Sequence, residues 1–336
     1  METKGMPWAI ILAGGRGTRL SALTSQGDGG VVPKQFCSLD GGGSMLRVTL
    51  ARALSITRPE RVLIVLLEEH RKYWSREPLS IPPENLIVQE RDRGTGTALL
   101  CALLRAHERD PKAPVFLLPS DHLVDSERSL RRTIEEALDE SARAHGRVVV
   151  LASPSSTPDP SFGWLIPGRA ASGRARWVAQ FFEKPDLTLA AECVRRGGMR
   201  HTLMLVGQCR AFLGLYSIAI SDLLGLRQAG LKLRRLQPSA LLDLYDTIPS
   251  VDIGRDVLEH TSSRLLLLPM PECGWTDIGT VERLEDWWME HPAALAEVRR
   301  RGILPPAGER SEKGGARGTS AAANAGEGRN SSIQVP

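Results

Sequence analysis

Short apolar runs alternate with longer amphipathic segments through the first 150 residues of the chain. Near-continuous apolar runs are typical of strands that are buried on both faces of a mostly parallel sheet. Five such runs predict strands over residues 8–13, 61–67, 85–90, 115–119 and 147–152. The segments between them predict helices over 45–56, 97–109 and 129–145. This alternation predicts an α/β fold with a doubly wound, mostly parallel, Rossmann-like sheet.

The pattern changes after residue 150. Two strand-like runs, 162–168 and 177–185, flank a loop rich in Gly, Ala, Ser and Arg, and they predict an inserted β-hairpin region. A further apolar run predicts a strand over 264–270. From residue 305 onward, large apolar side chains are too sparse to offset the entropy of ordering the chain. We therefore predict one folded domain over 1–304 and a disordered low-complexity tail over 305–336.

Composition excludes several classes of protein. The 336 residues carry 43 Lys and Arg against 39 Asp and Glu, a balance too even to indicate nucleic-acid binding by bulk charge. No apolar run reaches the roughly 18 residues of a membrane span, and the N-terminus lacks the features of a secretory signal. We therefore expect a cytoplasmic protein with no membrane or nucleic-acid partner. The five cysteines are scattered without CxxC spacing, which favours free thiols over a zinc site.

The first predicted strand runs into a glycine-rich loop, "LAGGRGTRL", at residues 12–20. The order of its residues matches neither the Walker A loop nor the GxGxxG dinucleotide fingerprint. A glycine turn without a ligand is the remaining alternative, but two arginines clustered beside three glycines favour a polyanion. The candidate phosphate-binding residues are Leu12, Ala13, Gly14, Gly15, Arg16, Gly17 and Thr18, with Arg19 as a further cation.

Two aspartates are candidates for a shared metal ion. Asp121 lies just beyond the predicted strand 115–119, and Asp277 lies in the glycine-flanked turn "GWTDIGT". Two such carboxylates could share one Mg²⁺, with phosphate and water completing its oxygen ligands. A helix cap for Asp121, or a turn role for either residue, is the alternative interpretation.

Six short motifs resemble, in order, those of the sugar-phosphate nucleotidyltransferases. They are "LAGGRGTRL" with "PKQF" (33–36), "RGTGTA" (93–98), "PSDH" (119–122), "FGWL" (162–165), "FFEKP" (181–185) and "GWTDIGT" (274–280). The PKQF motif points to the mannose-1-phosphate guanylyltransferase branch. The matches cover about residues 7–290, and they imply the fold of the nucleotide-diphospho-sugar transferases, with 1–304 as the catalytic domain.

The resemblance also implies a reaction. An oxygen of a sugar 1-phosphate attacks the α-phosphorus of a nucleoside triphosphate, and pyrophosphate leaves. This nucleophile is already ionised at neutral pH, so positioning and charge neutralisation supply the catalysis rather than a general base. The implied cofactor is Mg²⁺, and the implied substrates are GTP and mannose 1-phosphate.

Residue roles follow from the same resemblance. It implies that Arg19 and Lys34 contact the triphosphate, and that Arg93, Gly94 and Thr95 bind the base. For the sugar phosphate it implies Lys184 as the catalytic cation, beside Gly163, Glu183 and His201. Without the resemblance, the alternative interpretations are that Lys184 is a solvated surface residue and that Gly163 is a hairpin glycine.

The chain departs from the family pattern at "MRHTLMLVG" (199–207), where His201 stands in place of an expected asparagine and Arg200 in place of a tryptophan. Imidazole offers a different hydrogen-bonding reach from a carboxamide. Our leading hypothesis is transfer of GMP from GTP to mannose 1-phosphate. The alternatives are another sugar or nucleotide on the same scaffold, or a nucleotide-sugar-binding regulator without turnover. The sequence leaves the oligomeric state open, and a homo-oligomer is compatible with it.

Overall fold

A nine-stranded sheet forms the centre of the described structure. The computed structural model describes residues 5–15, 32–219 and 250–301. The nine strands are β1 (Trp8–Leu12), β2 (Val62–Leu67), β3 (Leu86–Gln89), β4 (Pro114–Pro119), β6 (Val148–Pro154), β7 (Trp164–Ala170), β8 (Arg176–Phe182), β9 (Met199–Gln208) and β10 (Leu265–Pro269). A separate two-stranded ribbon consists of β5 (His122–Leu123) and β11 (Thr276–Asp277).

Within the described residues, seven α-helices of nine or more residues accompany these strands. They are α1 (Met45–Leu54), α2 (Gly94–Arg109), α3 (Glu127–Arg143), α4 (Leu187–Arg195), α5 (Cys209–Ala219), α6 (Val281–Glu290) and α7 (Pro292–Arg300). Shorter helical turns lie between them, among them a π-helical segment at Ile253–Leu258. Among the described helices, none is both long and apolar enough to cross a membrane.

The strand order in the sheet is β3-β2-β1-β4-β9-β6-β10-β8-β7. Of these nine described strands, seven point in one direction, and β8 and β9 run against them. The predicted α/β, mostly parallel sheet is therefore confirmed, with two antiparallel strands in its second half. Parallel strands place their carboxyl ends at one edge, where ligands bind in open sheets of this kind.

Helices cover both faces of the sheet, as the doubly wound prediction requires. Successive residues of β1 alternate between two apolar clusters because side chains alternate across a strand. Ile10 packs in the cluster that contains Leu99 of α2 and Phe212 of α5. Ile11 packs in the cluster that contains Leu46 of α1 and Ile134 of α3.

The predicted hairpin is present as β7 and β8, which pair antiparallel at the end of the main sheet. The prediction missed β9, the longest described strand, which lies antiparallel between β4 and β6. Its run "TLMLVG" carries the apolar signal of a buried strand, but we considered 199–207 only as a departure from a motif. The predicted tail 305–336 lies outside the described residues.

The β5–β11 ribbon brings the C-terminal part of the domain back to β4. Asp277 pairs with His122, directly after the carboxyl end of β4. Helices α6 and α7 then pack against the segment before α1, where the indole nitrogen of Trp288 donates to the carbonyl of Leu39 at 2.9 Å. Two motifs that are far apart in sequence thus meet at one edge of the sheet.

Candidate active site

A cavity of about 380 Å³ opens at this edge. Eight of the residues singled out in the sequence line it, and they come from both halves of the chain. They are Lys34, Thr95, Asp121, Gly163, Glu183, Lys184, His201 and Asp277. Strand pairing brings them together, since β9 pairs with β4 and β7, β7 pairs with β8, and the ribbon follows β4.

Lys34, Asp121 and Asp277 form the carboxylate end of the cavity. The Lys34 ammonium lies 2.5 Å from Oδ2 of Asp121 and 3.6 Å from Oδ1 of Asp277. Asp121 is positioned by β4, while Asp277 is positioned by its ribbon strand rather than by the simple turn expected from the sequence. The two carboxylates therefore converge on one point, at which about a quarter of each side chain stays exposed.

The Lys34 ammonium is stabilised by both carboxylates. Burial acts against the charge of Lys34, but the two carboxylates outweigh it and raise the pKa of the ammonium. Burial likewise acts against ionisation of Asp121, but the Lys34 ammonium outweighs it and lowers the pKa of that carboxyl. Lys34 and Asp121 thus hold each other in their charged forms at neutral pH.

His122 supports this end without joining it. The indole nitrogen of Trp275 donates to Nδ1 of His122 at 3.2 Å, and the two rings meet edge to face. Burial lowers the pKa of His122, so the ring is neutral and carries its proton on Nε2, 3.9 Å from Oδ1 of Asp121. His122 thus has a structural role beside the carboxylate end.

The donor set fits a hard divalent cation. Asp121 and Asp277 offer carboxylate oxygens that already face a common positive charge, and oxygen is the ligand that Mg²⁺ prefers. In the described part of the chain, no group of three or more His, Cys, Asp or Glu side chains is placed to hold a metal. An ion held by these two aspartates would need further oxygens from phosphate or water, as Mg²⁺ sites at substrate phosphates commonly do.

The beginning of the glycine loop is held by a side chain that we did not single out. Gln35 is buried, and its amide donates to the carbonyls of Ala13 at 3.0 Å and Gly15 at 2.8 Å. Leu12 ends β1, and the chain from Ala13 to Gly15 leads away from it. Among the described residues that line the cavity, none belongs to this segment. Residues 16–31 lie outside the described residues, so Arg16, Gly17, Thr18 and Arg19 remain sequence predictions.

The segment expected to bind the base opens α2. Arg93 precedes the helix, and Gly94 adopts a left-handed φ of 82°. A Cβ at Gly94 would lie 2.4 Å from the carbonyl oxygen of Val251, so glycine permits this close approach. Of the three predicted residues, Thr95 alone reaches the cavity within the described part of the chain, and its hydroxyl accepts from the amide of Ile253 at 3.1 Å.

Gly163, Glu183 and His201 form the glutamate end of the cavity. The Glu183 side chain is only 8% exposed, and its Oε2 has no hydrogen-bond partner among the described residues. Its Oε1 lies 3.3 Å from the Lys184 ammonium. Burial raises the pKa of Glu183; Lys184 opposes this shift, and Asp252 adds to it. An acceptor atom is therefore held ready in the cavity at a desolvation cost.

Two glycines make room for this carboxylate. A Cβ on Gly163 would lie 2.7 Å from Oε2 of Glu183, and a Cβ on Gly254 would lie 2.2 Å from the same atom. Lys184 itself has a left-handed φ of 47°, which is costly for a residue with a Cβ. The backbone thus turns sharply at the point where it presents the ammonium.

His201 lies beside Glu183 in the same wall. Its amide donates to the carbonyl of Gly163 at 2.7 Å, and its ring contacts Phe181 edge to face. Burial lowers the pKa of His201 to about 3, so the imidazole is neutral. Its Nε2 has no partner among the described residues. The glutamate end therefore carries two unsatisfied polar atoms.

Sequence reasoning missed several residues that the structure brings to the site, among them two in the lining and one beside it. Asp252 and Gly254 line the cavity, and Arg283 contacts Asp277 from the first turn of α6. None of these residues belongs to one of the six motifs, although Arg283 lies three residues after the last of them. The only signal at 250–254 was an aspartate with a glycine two residues later, and both residue types are common in turns.

Comparison with known proteins agrees with the geometry. The family model described as nucleotidyl transferase matches residues 8–292. The xanthan biosynthesis protein XanB of Xanthomonas campestris pv. campestris (strain B100) is 28% identical over 285 residues, which cover 82% of this chain and 58% of that protein. The mannose-1-phosphate guanylyltransferase RfbM of Salmonella typhimurium is 27% identical over 292 residues, which cover 82% of this chain and 58% of that protein.

Among solved structures, a Thermus thermophilus protein described as a mannose-1-phosphate geranyltransferase superposes with a TM-score of 0.72. It is 24% identical, with 83% of this chain and 79% of that one covered. This likeness supports the fold.

The chain belongs to the nucleotidyl transferase family, since the family model spans most of its length. This confirms the family predicted from the six motifs, and the relatives named as mannose-1-phosphate guanylyltransferases belong to the branch that PKQF indicated. The chain spans 58% of the length of the first curated relatives that it matches.

Proposed function

We propose that the protein is a Mg²⁺-dependent mannose-1-phosphate guanylyltransferase that converts GTP and mannose 1-phosphate into GDP-mannose and pyrophosphate. The observation that carries the proposal is that one cavity holds two charged ends. Lys34, Asp121 and Asp277 lie at one end, and Glu183 and Lys184 lie at the other. This separation suits one reactant rich in phosphate and one sugar phosphate.

In the proposed reaction, a phosphate oxygen of mannose 1-phosphate forms a bond to the α-phosphorus of GTP. The bond from that phosphorus to the bridging oxygen breaks, and its electron pair leaves with pyrophosphate. Bound Mg²⁺ would neutralise phosphate charge between Asp121 and Asp277. No side chain has to remove a proton, because the attacking phosphate is already ionised at neutral pH.

The residues of the chain supply position and charge. Lys34 holds its ammonium beside the two aspartates and is available to the triphosphate when the carboxylates take up the metal. Lys184, which is 44% exposed, can reach the phosphate of the sugar. Glu183 and His201 offer one acceptor and one imidazole nitrogen to sugar hydroxyls, and satisfying these buried atoms favours binding. The base site remains a prediction at Arg93, Gly94 and Thr95.

A panel assay tests the proposal. Purified protein is incubated with Mg²⁺, each of several nucleoside triphosphates and each of several sugar 1-phosphates, and pyrophosphate release is measured. GTP with mannose 1-phosphate should give the highest kcat/KM. A higher value with another pair would assign the same chemistry to another substrate.

The departure at His201 favours testing a second candidate, a nucleotide-sugar-binding regulator. Calorimetry with GDP-mannose distinguishes it. Tight binding without pyrophosphate release from any pair would support the regulator and contradict the enzyme. The cytoplasmic location and the oligomeric state stay predictions that this assay does not address.

A further inference from the structure

Arg283 links two parts of the cavity wall that are far apart in sequence. It lies in the first turn of α6, and its side chain is 20% exposed. It does not itself line the cavity as the described residues define it, but its partners Asp277, Ser161 and Phe162 do. A residue in this place acts through its neighbours.

We propose that Arg283 is a positioning residue that fixes the carboxylate end of the cavity relative to the wall at residues 159–162. This inference rests on the proposed function, because the distance between the two ends matters only if both reactants bind there. Its effect would be to hold the sugar phosphate within reach of the α-phosphorus.

The guanidinium makes separate contacts with each part. On one side, Nη1 donates to the backbone carbonyl of Asp277 at 3.3 Å and lies 3.9 Å from its Oδ2. On the other side, Nη2 donates to Oδ2 of Asp159 at 2.6 Å and to the hydroxyl of Ser161. The planar fork of arginine suits such a two-sided bridge, whereas an ammonium would act as a point charge.

The wall at 159–162 depends on the same aspartate. Oδ1 of Asp159 accepts from the amide of Ser161 at 2.9 Å and from its hydroxyl at 2.6 Å. Burial acts against ionisation of Asp159, but these hydrogen bonds and the Arg283 guanidinium lower the pKa of its carboxyl. Asp159 is therefore a charged anchor, and Arg283 is the cation that it holds.

Stacking completes the link. The Arg283 guanidinium lies over the ring of Phe162, 4.2 Å from its centroid, and Phe162 lines the cavity next to Gly163. At Gly279 a Cβ would lie 3.2 Å from Nη1 of Arg283, so the glycine leaves room for the guanidinium. The contacts therefore join the metal carboxylate, the aromatic wall and the start of β7.

Kinetics of two single variants and their combination test the inference. Arg283→Met and Asp159→Asn should each lower kcat/KM for the sugar 1-phosphate on the order of 10- to 100-fold, since small misplacements of reacting groups cost that much. KM for the nucleotide should stay within about twofold of wild type in both, because neither variant removes Lys34, Asp121 or Asp277, which would hold the triphosphate and its metal. The double variant should be no worse than the poorer single variant, because both remove the same link.

A matched control and a rescue separate positioning from general stability. Arg174→Met removes an arginine that bridges Glu136 and the carbonyl of Pro269 away from the cavity, and it should leave kcat/KM unchanged. Arg283→Ala should recover activity when millimolar guanidinium is added, and Arg283→Lys should recover only part of it. A merely structural role predicts neither rescue nor a selective effect on the sugar phosphate.

Hydrogen exchange supplies a readout that needs no substrate. Peptides covering 159–165 should exchange faster in Arg283→Met and Asp159→Asn than in wild type and Arg174→Met. Unchanged exchange there, full activity of Arg283→Met, or additive losses in the double variant would each overturn the inference. If the wild type releases no pyrophosphate with any pair, the proposed function fails, while the exchange result still decides whether Arg283 links the two parts.

Discussion

The two ends of the cavity differ in how their buried polar groups are satisfied. At the carboxylate end, the Lys34 ammonium lies beside both Asp121 and Asp277, and opposite charge lowers the cost of burying these groups. At the glutamate end, Oε2 of Glu183 and Nε2 of His201 find no partner within the described part of the chain. The polar groups of the first end thus have charged partners within the chain, whereas the second end presents two atoms that a ligand could satisfy.

This difference separates two uses of burial. A paired cluster is stable by itself and exchanges one cation for another when a metal and a polyanion arrive. Unpartnered atoms destabilise the fold, and that cost is recovered when hydroxyl groups bind. Substitutions at the carboxylate end should therefore lower kcat. Substitutions at the glutamate end should raise the stability of the fold and lower the affinity for the sugar phosphate.

The largest effect is expected from breaking the carboxylate end. Asp277→Asn should lower kcat on the order of 10²–10³-fold, because it removes one of two charges that would hold the metal. The melting temperature should stay near wild type, since the Asn side chain keeps the shape and Lys34 keeps Asp121 as its partner. Differential scanning fluorimetry beside the pyrophosphate assay checks both. A variant that unfolds would show that Asp277 is a structural ribbon residue.

A smaller but two-sided effect is expected from Glu183→Gln. Loss of a charge-assisted hydrogen bond of about 1.5–3 kcal/mol should lower kcat/KM for the sugar phosphate roughly 10- to 150-fold. Burial raises the pKa of Glu183 in the folded protein above its ordinary value of 4.5. Ionisation of Glu183 therefore destabilises the folded state at a pH above the raised pKa, and it has no effect on stability below pH 4.5.

The variant should therefore unfold at higher urea concentration than wild type at pH 7.5, and this advantage should shrink as the pH falls toward 5. Equal stability of the two proteins at pH 7.5 would contradict the desolvation argument.

Gly254→Ala tests the position of the Glu183 carboxylate while leaving its charge unchanged. The added Cβ would lie 2.2 Å from Oε2, so the carboxylate must shift, and affinity for the sugar phosphate should fall by about tenfold. Nucleotide binding should change little, as measured by calorimetry with each ligand. Gly214→Ala is the matched control, because a Cβ there meets nothing within 4 Å. Equal losses in both variants would count against the close fit around Glu183.

The smallest effect on turnover is expected from His201→Asn. Burial lowers the pKa of His201 to about 3 in the folded protein. Below pH 6.5 this histidine is therefore protonated in the unfolded chain but still neutral in the folded one, which favours unfolding. Wild-type stability should thus fall by about 2 kcal/mol more than that of the variant between pH 7.5 and pH 5, as urea titrations at each pH would measure. Parallel curves for the two proteins would show that His201 titrates normally.

Much of the carboxylate end could be predicted from the sequence because its residues lie in compact motifs next to strand ends. Asp121 follows an apolar run, and parallel strands place such positions at one edge. The approach of Asp277 could not be derived from local pattern, since a two-residue ribbon has no periodicity; the resemblance alone suggested it. The sheet itself was predictable except for β9, whose antiparallel insertion no local pattern indicates.

Arg283 and Gly254 could not be predicted for a different reason. An arginine in the first turn of a helix is typical of a solvated surface, and nothing in the spacing indicates that it stacks on Phe162. Gly254 is required by a carboxylate far away in sequence, and only tertiary packing brings the two together. The roles of Arg16 and Arg19 remain predictions, because they lie outside the described residues.

The β5–β11 ribbon has a consequence for how the protein is made. Trp275 and His122, which share a hydrogen bond across it, are 153 residues apart in sequence. A growing chain on the ribosome can complete β1 to β4 and expose Asp121 long before its partner carboxylate has been translated. The proposed metal ligands are therefore assembled only near the end of domain synthesis, so a prematurely terminated fragment would lack them.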